Sequence, residues 1–339
     1  MGVNLGDIIP KEKKDITDFS RKVIAIDAPN AIYQFLSSIR QPDGTPLMDS
    51  TGRVTSHLVG LFTRTANLIG TGTKIVYVFD GKPHQLKYET INERREIKKK
   101  AETEWQIALE AGDLEKAKSK AQQTSRLTSD MINESKTLLE YLGVPYVVAP
   151  SEGEAQASYM ARKGDVWAAA SQDFDALLFG SLILVRNLTI TGRRKLPGKQ
   201  VYVDVTPEII NLDSALRSLE ITREQLVDLG ILVGTDFNDG IKGVGAKTAL
   251  KLIKEHKTIE KVLEFKNTSI KNYETIKDIF LKPDVTDDYK IDSGKIDIVC
   301  VKKFLCEERG FSENRVDAAL KKFEAFKETV AQKSLEDWF

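Results

Sequence analysis

The residues best equipped for chemistry are acids that follow one short apolar run after another. VIAI precedes Asp27, IVYVF precedes Asp80, PYVVAPS precedes Glu152 and Glu154, VWAAASQ precedes Asp173 and Asp175, and GILVGT precedes Asp236. Most of these runs read as strands of a parallel sheet, whose C-terminal ends share one edge where ligands of open α/β sheets bind. Carboxylates remote in sequence would therefore meet. Crowded carboxylates repel, and a bound divalent cation is the least costly relief. Among these acids acid-x-acid occurs twice, at Glu152/Glu154 and Asp173/Asp175, each at a strand-to-helix junction, so each pair can reach one ion or bridge two. Oxygen donors without His or Cys suit magnesium, with manganese an alternative. Two ions about 3.5–4 Å apart would activate a water and stabilise a leaving 3′ oxygen in an in-line displacement.

Each acid also has a plainer reading. Asp27 can cap the helix that follows, Asp80-Gly81 can be a turn, and Asp173 can cap its own short helix. Ser151-Glu152-Gly153-Glu154 matches a capping box. Asp236 can open a loop. The joint pattern is what favours chemistry.

The elements that must position these acids alternate. A strand at 23–27 and a helix at 30–40 lead through a turn-rich loop to a helix near 55–69 and a strand at 74–80. After an interruption come a helix, the strand PYVVA, the helix SEGEAQASYMARKG, the strand VWAAAS, a short helix, and strands near 182–187 and 200–205. This is an α/β chain with a mainly parallel central sheet flanked by helices. The interruption is long, charged and helix-prone, with little apolar periodicity, and reads as an insertion beside the sheet edge directly after Asp80. From 207 onward the chain reads as almost wholly helical, and its last ten residues as a tail. The expected divisions are 1–81 and 131–220 for the two parts of one domain, 82–130 for the insertion, 221–330 for a helical region and 331–339 for the tail.

Net charge is zero, with 50 basic and 50 acidic residues, but the distribution is uneven. Basic residues gather at Lys82–Lys100, at Arg186–Lys199 and at Lys242–Lys257. Basic strips beside an acidic pocket fit a nuclease, with phosphate contacts outside and metal ligands within. Taken singly, such strips are as often solvated helix faces. The three histidines are far apart and lack metal-ligand spacing; Cys300 and Cys306 read as buried apolar residues of a reducing compartment. No apolar run is long enough to cross a bilayer and no secretory signal is visible. Residues 240–248 resemble a phosphate loop, but Ala246 separates Gly245 from Lys247 and the pattern fails. The segment instead reads as a helix–turn–helix in which Gly243 and Gly245 admit a phosphate to backbone amides at a helix N-terminus, with Lys247 adding charge.

IDAPNAIYQF, VFDGKPHQLK, APSEGEAQA, SQDFDALLFG, VRNLTITG and VGTDFNDGIKGVGAKTA, in this order, resemble the archaeal and eukaryotic flap endonucleases over nearly the whole chain. The resemblance implies a PIN-like nuclease fold with a helical arch over the active site. It implies cleavage of 5′ flaps on branched DNA, with 5′–3′ exonuclease activity, in Okazaki fragment maturation and base excision repair. By motif, Asp27, Asp80, Glu152 and Glu154 would hold mainly one metal ion, and Asp173, Asp175 and Asp236, with Glu154, the second. Lys87 and Arg94, seven residues apart and so on one helix face, would orient the scissile phosphate. Tyr33 would stack on a base near the cut, Arg40 would contact DNA, and Gly2, in a short N-terminus that would lie near the active site, would let the backbone approach it. The glycine-rich turn would grip the duplex with the help of a monovalent ion. Gln332, Leu335, Trp338 and Phe339 match the box that binds the sliding clamp (PCNA), with aromatic anchors entering an apolar pocket. The absence of a basic extension past that box points to the archaeal type, hence a cytoplasmic, nucleoid-associated enzyme; a eukaryotic one would be nuclear.

Three other readings compete. A non-catalytic branched-DNA and clamp-binding module would not need the acids. A magnesium phosphatase would want Asp-x-Asp after the first strand, where this chain has Asp27-Ala28-Pro29. A gap endonuclease is a close neighbour within the nuclease class.

Overall fold

The computed structural model describes residues 2–190, 193–195 and 202–336, apart from the side chains at 89, 91–95, 193–195, 202–203 and 325–336. Nine strands are described: β1 (Glu12–Lys13), β2 (Val23–Asp27), β3 (Lys74–Phe79), β4 (Tyr146–Val148), β5 (Ala168–Ala170), β6 (Ile183–Arg186), β7 (Arg193–Lys195), β8 (Tyr202–Asp204) and β9 (Glu208–Asn211). Seven of them form one sheet in the order β1-β9-β6-β5-β2-β3-β4, parallel from β4 to β6 and antiparallel at β9 and β1. The chain builds outward from β2, first to β3 and β4 and then, on the other side, to β5 and β6. The order therefore reverses beside β2, the kind of crevice where α/β sheets bind ligands.

Parallel strands covered on both faces need no polar alternation. Ile24, Ala25 and Ile26 are all buried, as are Val76, Tyr77 and Val78. On one face Ile24, Ile26, Ile75 and Tyr77 pack with α1 (Ala28–Ser38), α2 (Ser56–Gly70) and further helices; on the other Ala25, Val76, Val78 and Val147 meet Ala157 and Met160 of α6 (Gly153–Lys163). α1 shows how the sequence makes such a helix. Asp27 caps it, Pro29 stands in its first turn, and Ala28, Ala31, Ile32, Phe35 and Leu36 form the buried stripe.

The insertion folds as two helices, α3 (Lys87–Glu110) and α4 (Leu114–Gln123). The segment shows little apolar periodicity, yet Ala101, Ala108, Ala117 and Ala121 are all buried. Alanine contributes little to an amphipathic pattern but lets two helices approach closely, so the seam is hard to read from hydropathy. α5 (Ser129–Leu142) returns the chain to the sheet, and α7 (Asp175–Leu178) follows β5.

After β9 come α8 (Leu212–Leu219), α9 (Arg223–Val233), α10 (Ala246–His256), α11 (Ile259–Lys266), α12 (Tyr273–Leu281) and α13 (Ile298–Lys302). α7, α9, α10, α11 and α12 share a core that includes Leu178, Leu229, Ile253 and Phe280. α14 (Glu313–Glu336) closes the described chain and packs on α2, with Phe323 stacked on Phe62.

Four expectations need correction. The region after 207 is not all helix, because β9 adds to the sheet edge through four registered pairs with β6. The strand expected near 200–205 joins β7 in a separate two-stranded hairpin, and its residues 200–201 lie outside the described set. Helix α14 runs to Glu336, well into the segment read as a tail. Cys300 and Cys306 are free thiols, but half-buried rather than core residues.

Candidate active site

The parallel strands end together, and their acids follow. Asp27 is the last residue of β2, Asp80 comes directly after β3, Glu152 and Glu154 open α6 beyond β4, Asp173 lies on the turn between β5 and α7, and Asp175 is the first residue of α7. Asp236 arrives from the helical region, on a tight turn after α9. Thr235 and Asn238 close that turn with an amide-to-carbonyl bond of 2.9 Å and a side-chain bond of 2.8 Å, and the Asn238 amide also ties back to the Ile231 carbonyl at 2.8 Å.

Gly81 explains why Asp80 and Glu152 meet. Its amide donates to the Ser151 carbonyl at 2.7 Å and the next amide to Pro150, so the two loops lie against each other. A Cβ at position 81 would stand 2.0 Å from the Ala149 carbonyl oxygen, which admits only glycine. The Gly153 amide then donates to Asp80 Oδ1 at 2.7 Å.

The plainer readings divide. Asp27 does cap α1, accepting the Asn30 amide at 3.1 Å, and still has its other oxygen on the site. The capping box at Ser151 is not formed: Glu152 holds the cap position of α6 and makes no capping bond. Asp173 does not cap α7 either, since Phe174 stands there. Glu152, Glu154 and Asp173 are thus not consumed by helix capping.

Their electrostatics show the crowding. Burial holds Asp27 well above the usual carboxylate range, with Asp80 and Asp173 adding to it and the Asn30 amide and Lys87 opposing. Burial does the same to Glu154, reinforced by Asp27, Asp175 and Asp173. Asp175 is pushed up to about 7 by burial and by Asp236 and Asp173, against a 2.7 Å hydrogen bond from the Val3 amide. Glu152 is raised by burial even though Lys87 pairs with it. Lys87, the first residue of α3, lies among these acids. Burial alone would lower its ammonium, but Glu152, Asp80 and Asp236 outweigh it and hold it above the usual lysine range. It pairs with Glu152 and lies 3.6 Å from Asp236.

These residues fit a divalent cation chemically. The donors are carboxylate oxygens, and Glu154 Oε1 is buried with no hydrogen-bond partner, a costly arrangement that a cation relieves. Among the described residues no three Asp, Glu, His or Cys side chains stand as a preassembled metal shell. Like charges in a poorly screened recess spread apart, and here the Lys87 ammonium supplies part of the neutralisation.

A titration follows from Asp175. Its folded pKa of about 7 lies above the unfolded value near 3.9, so between the two the native state keeps a proton that the unfolded chain has lost. Stability therefore falls as pH rises through that window. In chelator, melting should come several degrees higher at pH 5.5 than at pH 8, and Asp175→Asn should flatten the difference. An Asp175→Asn slope equal to the wild-type slope would remove this carboxylate from the effect.

The other expected site residues are placed as follows. Gly2 touches the site from within: a Cβ there would fall 2.4–2.6 Å from the Asp175 carboxylate, and the neighbouring Val3 amide orients that group. Arg94 lies on α3, two turns after Lys87, with its side chain outside the described set. Tyr33 donates its hydroxyl to the Ser125 carbonyl at 2.6 Å, and Lys98 sits 4.4 Å over its ring. The Arg40 guanidinium is tied to the Leu36 and Gly44 carbonyls and to Ser125 Oγ at 2.8–2.9 Å. Both therefore anchor the end of the arch in this state. Gly243 has a φ of +80° and faces open space, as does Gly245 at the start of α10. Lys247, Lys251 and Lys254 line one surface of that helix. The side chains of Gln332 and Leu335, and all of Trp338 and Phe339, lie outside the described residues. So do the side chains of Arg193, Arg194 and Lys195 and all of Lys199 in the second basic strip.

Sequence reasoning missed the Val3 amide, Asn30 and Ser171. Asn30 donates to Asp173 Oδ2 at 3.0 Å, and Ser171 Oγ reaches Asp27 Oδ2 at 3.4 Å. Asn30 and Ser171 are marked only by position, each within three residues of an acid in the site, and Val3 carries no such mark.

Comparison with known proteins agrees with this geometry. Residues 1–101 match the XPG N-terminal domain and residues 143–236 the XPG I-region. The chain is 52% identical to flap endonuclease 1 of Archaeoglobus fulgidus over 339 residues, covering 100% of both. It is 52% identical to that of Pyrococcus furiosus over 340 residues, covering 100% of this chain and 99% of the relative. Among solved structures, flap endonuclease-1 from Methanococcus jannaschii superposes with a TM-score of 0.78 at 42% identity, over 98% of this chain and 100% of that one. The fold is that of the PIN-like nucleases, and the chain belongs to the flap endonuclease family of structure-specific nucleases.

Proposed function

We propose that the acidic edge is a two-metal hydrolytic centre for DNA phosphodiesters, with magnesium as its usual cation and manganese as a substitute. Asp27, Asp80, Glu152 and Glu154 would hold mainly one ion, and Asp173, Asp175 and Asp236, sharing Glu154, the other. When bound, such a pair supplies activation of water and stabilisation of the leaving 3′ oxygen. The observation that carries this reading is the convergence of acids from separate strand ends around the buried, unpartnered Glu154 Oε1.

The chain's own groups set the rest. Lys87 enters the acidic recess from the start of α3, so its ammonium would meet a phosphate that approaches the same acids. Arg94, two turns along α3, would contribute a second positive group. The Gly243–Gly245 turn and the start of α10 would hold the duplex backbone through amides and lysines, with a monovalent ion as helper. The substrate would be branched DNA with a 5′ flap, in replication and base excision repair, with 5′–3′ exonuclease action on the same centre. No described helix is long and apolar enough to cross a membrane.

Mapping the products of a double-flap DNA with and without Mg2+ tests the assignment. Cleavage at the flap base that requires the cation is expected; metal-independent cleavage would overturn it.

The clamp contact is assigned to residues 332–339. Deleting them should leave intrinsic flap cleavage within about twofold and abolish stimulation by the sliding clamp, because a few aromatic anchors carry most of such an interface. Undiminished stimulation after truncation would place the contact elsewhere.

A further inference from the structure

Between the two groups of acids lies a polar bridge that neither group accounts for. Asn30 stands in the first turn of α1 and makes three bonds. Its main-chain amide donates to Asp27 Oδ1 at 3.1 Å, its side-chain Nδ2 donates to Asp173 Oδ2 at 3.0 Å, and its Oδ1 accepts the Gln172 amide at 3.3 Å. Ser171 runs alongside: its Oγ accepts the Asp173 amide at 3.2 Å and donates towards Asp27 Oδ2 at 3.4 Å. Asp27 ends β2 and Asp173 follows β5, 146 positions apart (173 − 27), and they belong to different ions in the two-metal reading.

We propose that Asn30 is a positioning residue that fixes the spacing of the two cation sites by holding Asp173 against Asp27, with Ser171 as its second support. The proposal rests on the two-metal reading. Its physical basis is the amide's mixed character. A carboxylate can accept but not donate when ionised, so two acids facing each other cannot fix one another; an asparagine donates to one of them while its oxygen is held by a backbone amide. The Gln172 contact fixes which end of the amide faces Asp173, because Oδ1 must accept from a backbone donor and Nδ2 is left to donate. An outer partner of this kind orients a ligand before the cation arrives, and losing one typically costs 10–100-fold in metal affinity or activity.

A purely structural role predicts something different. If Asn30 only tethered α1 to the loop at 171–173, its loss would lower stability and leave cation binding unchanged in any molecule that remained folded.

The experiment uses the full-length protein and Mn2+ as the probe. Wild type and Asn30→Ala are titrated with Mn2+ by calorimetry and EPR, and melted in EDTA. Closely spaced Mn2+ ions give an exchange-coupled spectrum, whereas separated ions give that of an isolated ion. Asn30→Ala is expected to bind one Mn2+ at least about tenfold more weakly, to lose the coupled signal, and to melt in EDTA close to wild type. Its flap-DNA KM should stay within about twofold while kcat falls about 10–100-fold. Ser171→Ala should shift the same readouts in the same direction but less. A wild-type Mn2+ titration and spectrum in Asn30→Ala would overturn the proposal. So would a drop in EDTA melting large enough to leave the variant unfolded at the assay temperature, which would make the bridge a scaffold element. If the wild type itself shows no coupled pair, the two-metal reading fails first.

Discussion

Asp173→Ala is expected to slow single-turnover cleavage of a labelled 5′ flap by at least about 10³-fold, the loss that follows when a preorganised charge at the reacting centre is removed. Binding of the same flap, measured by anisotropy in Ca2+, should change only a few-fold. The separation follows from where the residue stands. Asp173 lies on the turn after β5, accepts from Asn30 and bears electrostatically on Asp27, Glu154 and Asp175. It contacts no residue of the glycine-rich turn or of α10 in the hydrogen bonds and ion pairs described, so the duplex-gripping surface should persist. Its removal also takes one negative charge from beside Asp27, Glu154 and Asp175, which burial and neighbouring acids hold above the carboxylate range. The metal-free variant should therefore melt at or above the wild-type temperature. Full cleavage activity in Asp173→Ala would overturn the site; lost activity together with a collapsed melting transition would show only that the fold had failed.

The acids were legible because their carriers were. Val23–Asp27 and Lys74–Phe79 are strands buried on both faces, so they read as unbroken apolar runs and their ends mark themselves. Convergence then follows from topology, without any knowledge of side-chain contacts. What stayed hidden depends on contacts between distant segments. Gly2 is placed near the site only by the family resemblance: a Cβ there would meet the Asp175 carboxylate, 173 positions away (175 − 2), a proximity no local pattern encodes. Asn30 in the first turn of a helix reads as an ordinary capping-region residue, and only the fold brings Asp173 to its amide. Tyr33 and Arg40 carry no mark that both tie to Ser125 at the end of the arch. β9 is four residues long, too short for its period to separate strand from helix, and is a strand because β6 offers it an edge.

Lys87→Ala should slow the chemical step by about 10²–10³-fold, a loss of roughly 3–4 kcal/mol of transition-state stabilisation, with flap binding little changed. The ammonium is largely enclosed, pairs with Glu152 and lies 3.6 Å from Asp236. Those acids hold it protonated well past neutral pH, so it would meet an incoming phosphate as a cation and not as a base. In the proposed centre its charge would first offset the carboxylates and, with cations and substrate bound, would turn to the developing negative charge. Such an exchange affects kcat more than KM, because the interaction strengthens only as charge develops. The same geometry yields a second signature. Without the ammonium, Glu152, Asp80 and Asp236 lose their nearby counter-charge, so metal-free Lys87→Ala should melt below wild type at pH 8. Added Mg2+ should restore most of the difference, since a divalent cation supplies the missing charge. Lys87→Arg keeps the charge but spreads it over a larger planar group, so it should recover stability more fully than rate. Equal single-turnover rates for Lys87→Ala and wild type would remove the residue from the mechanism, whatever the melting temperatures showed.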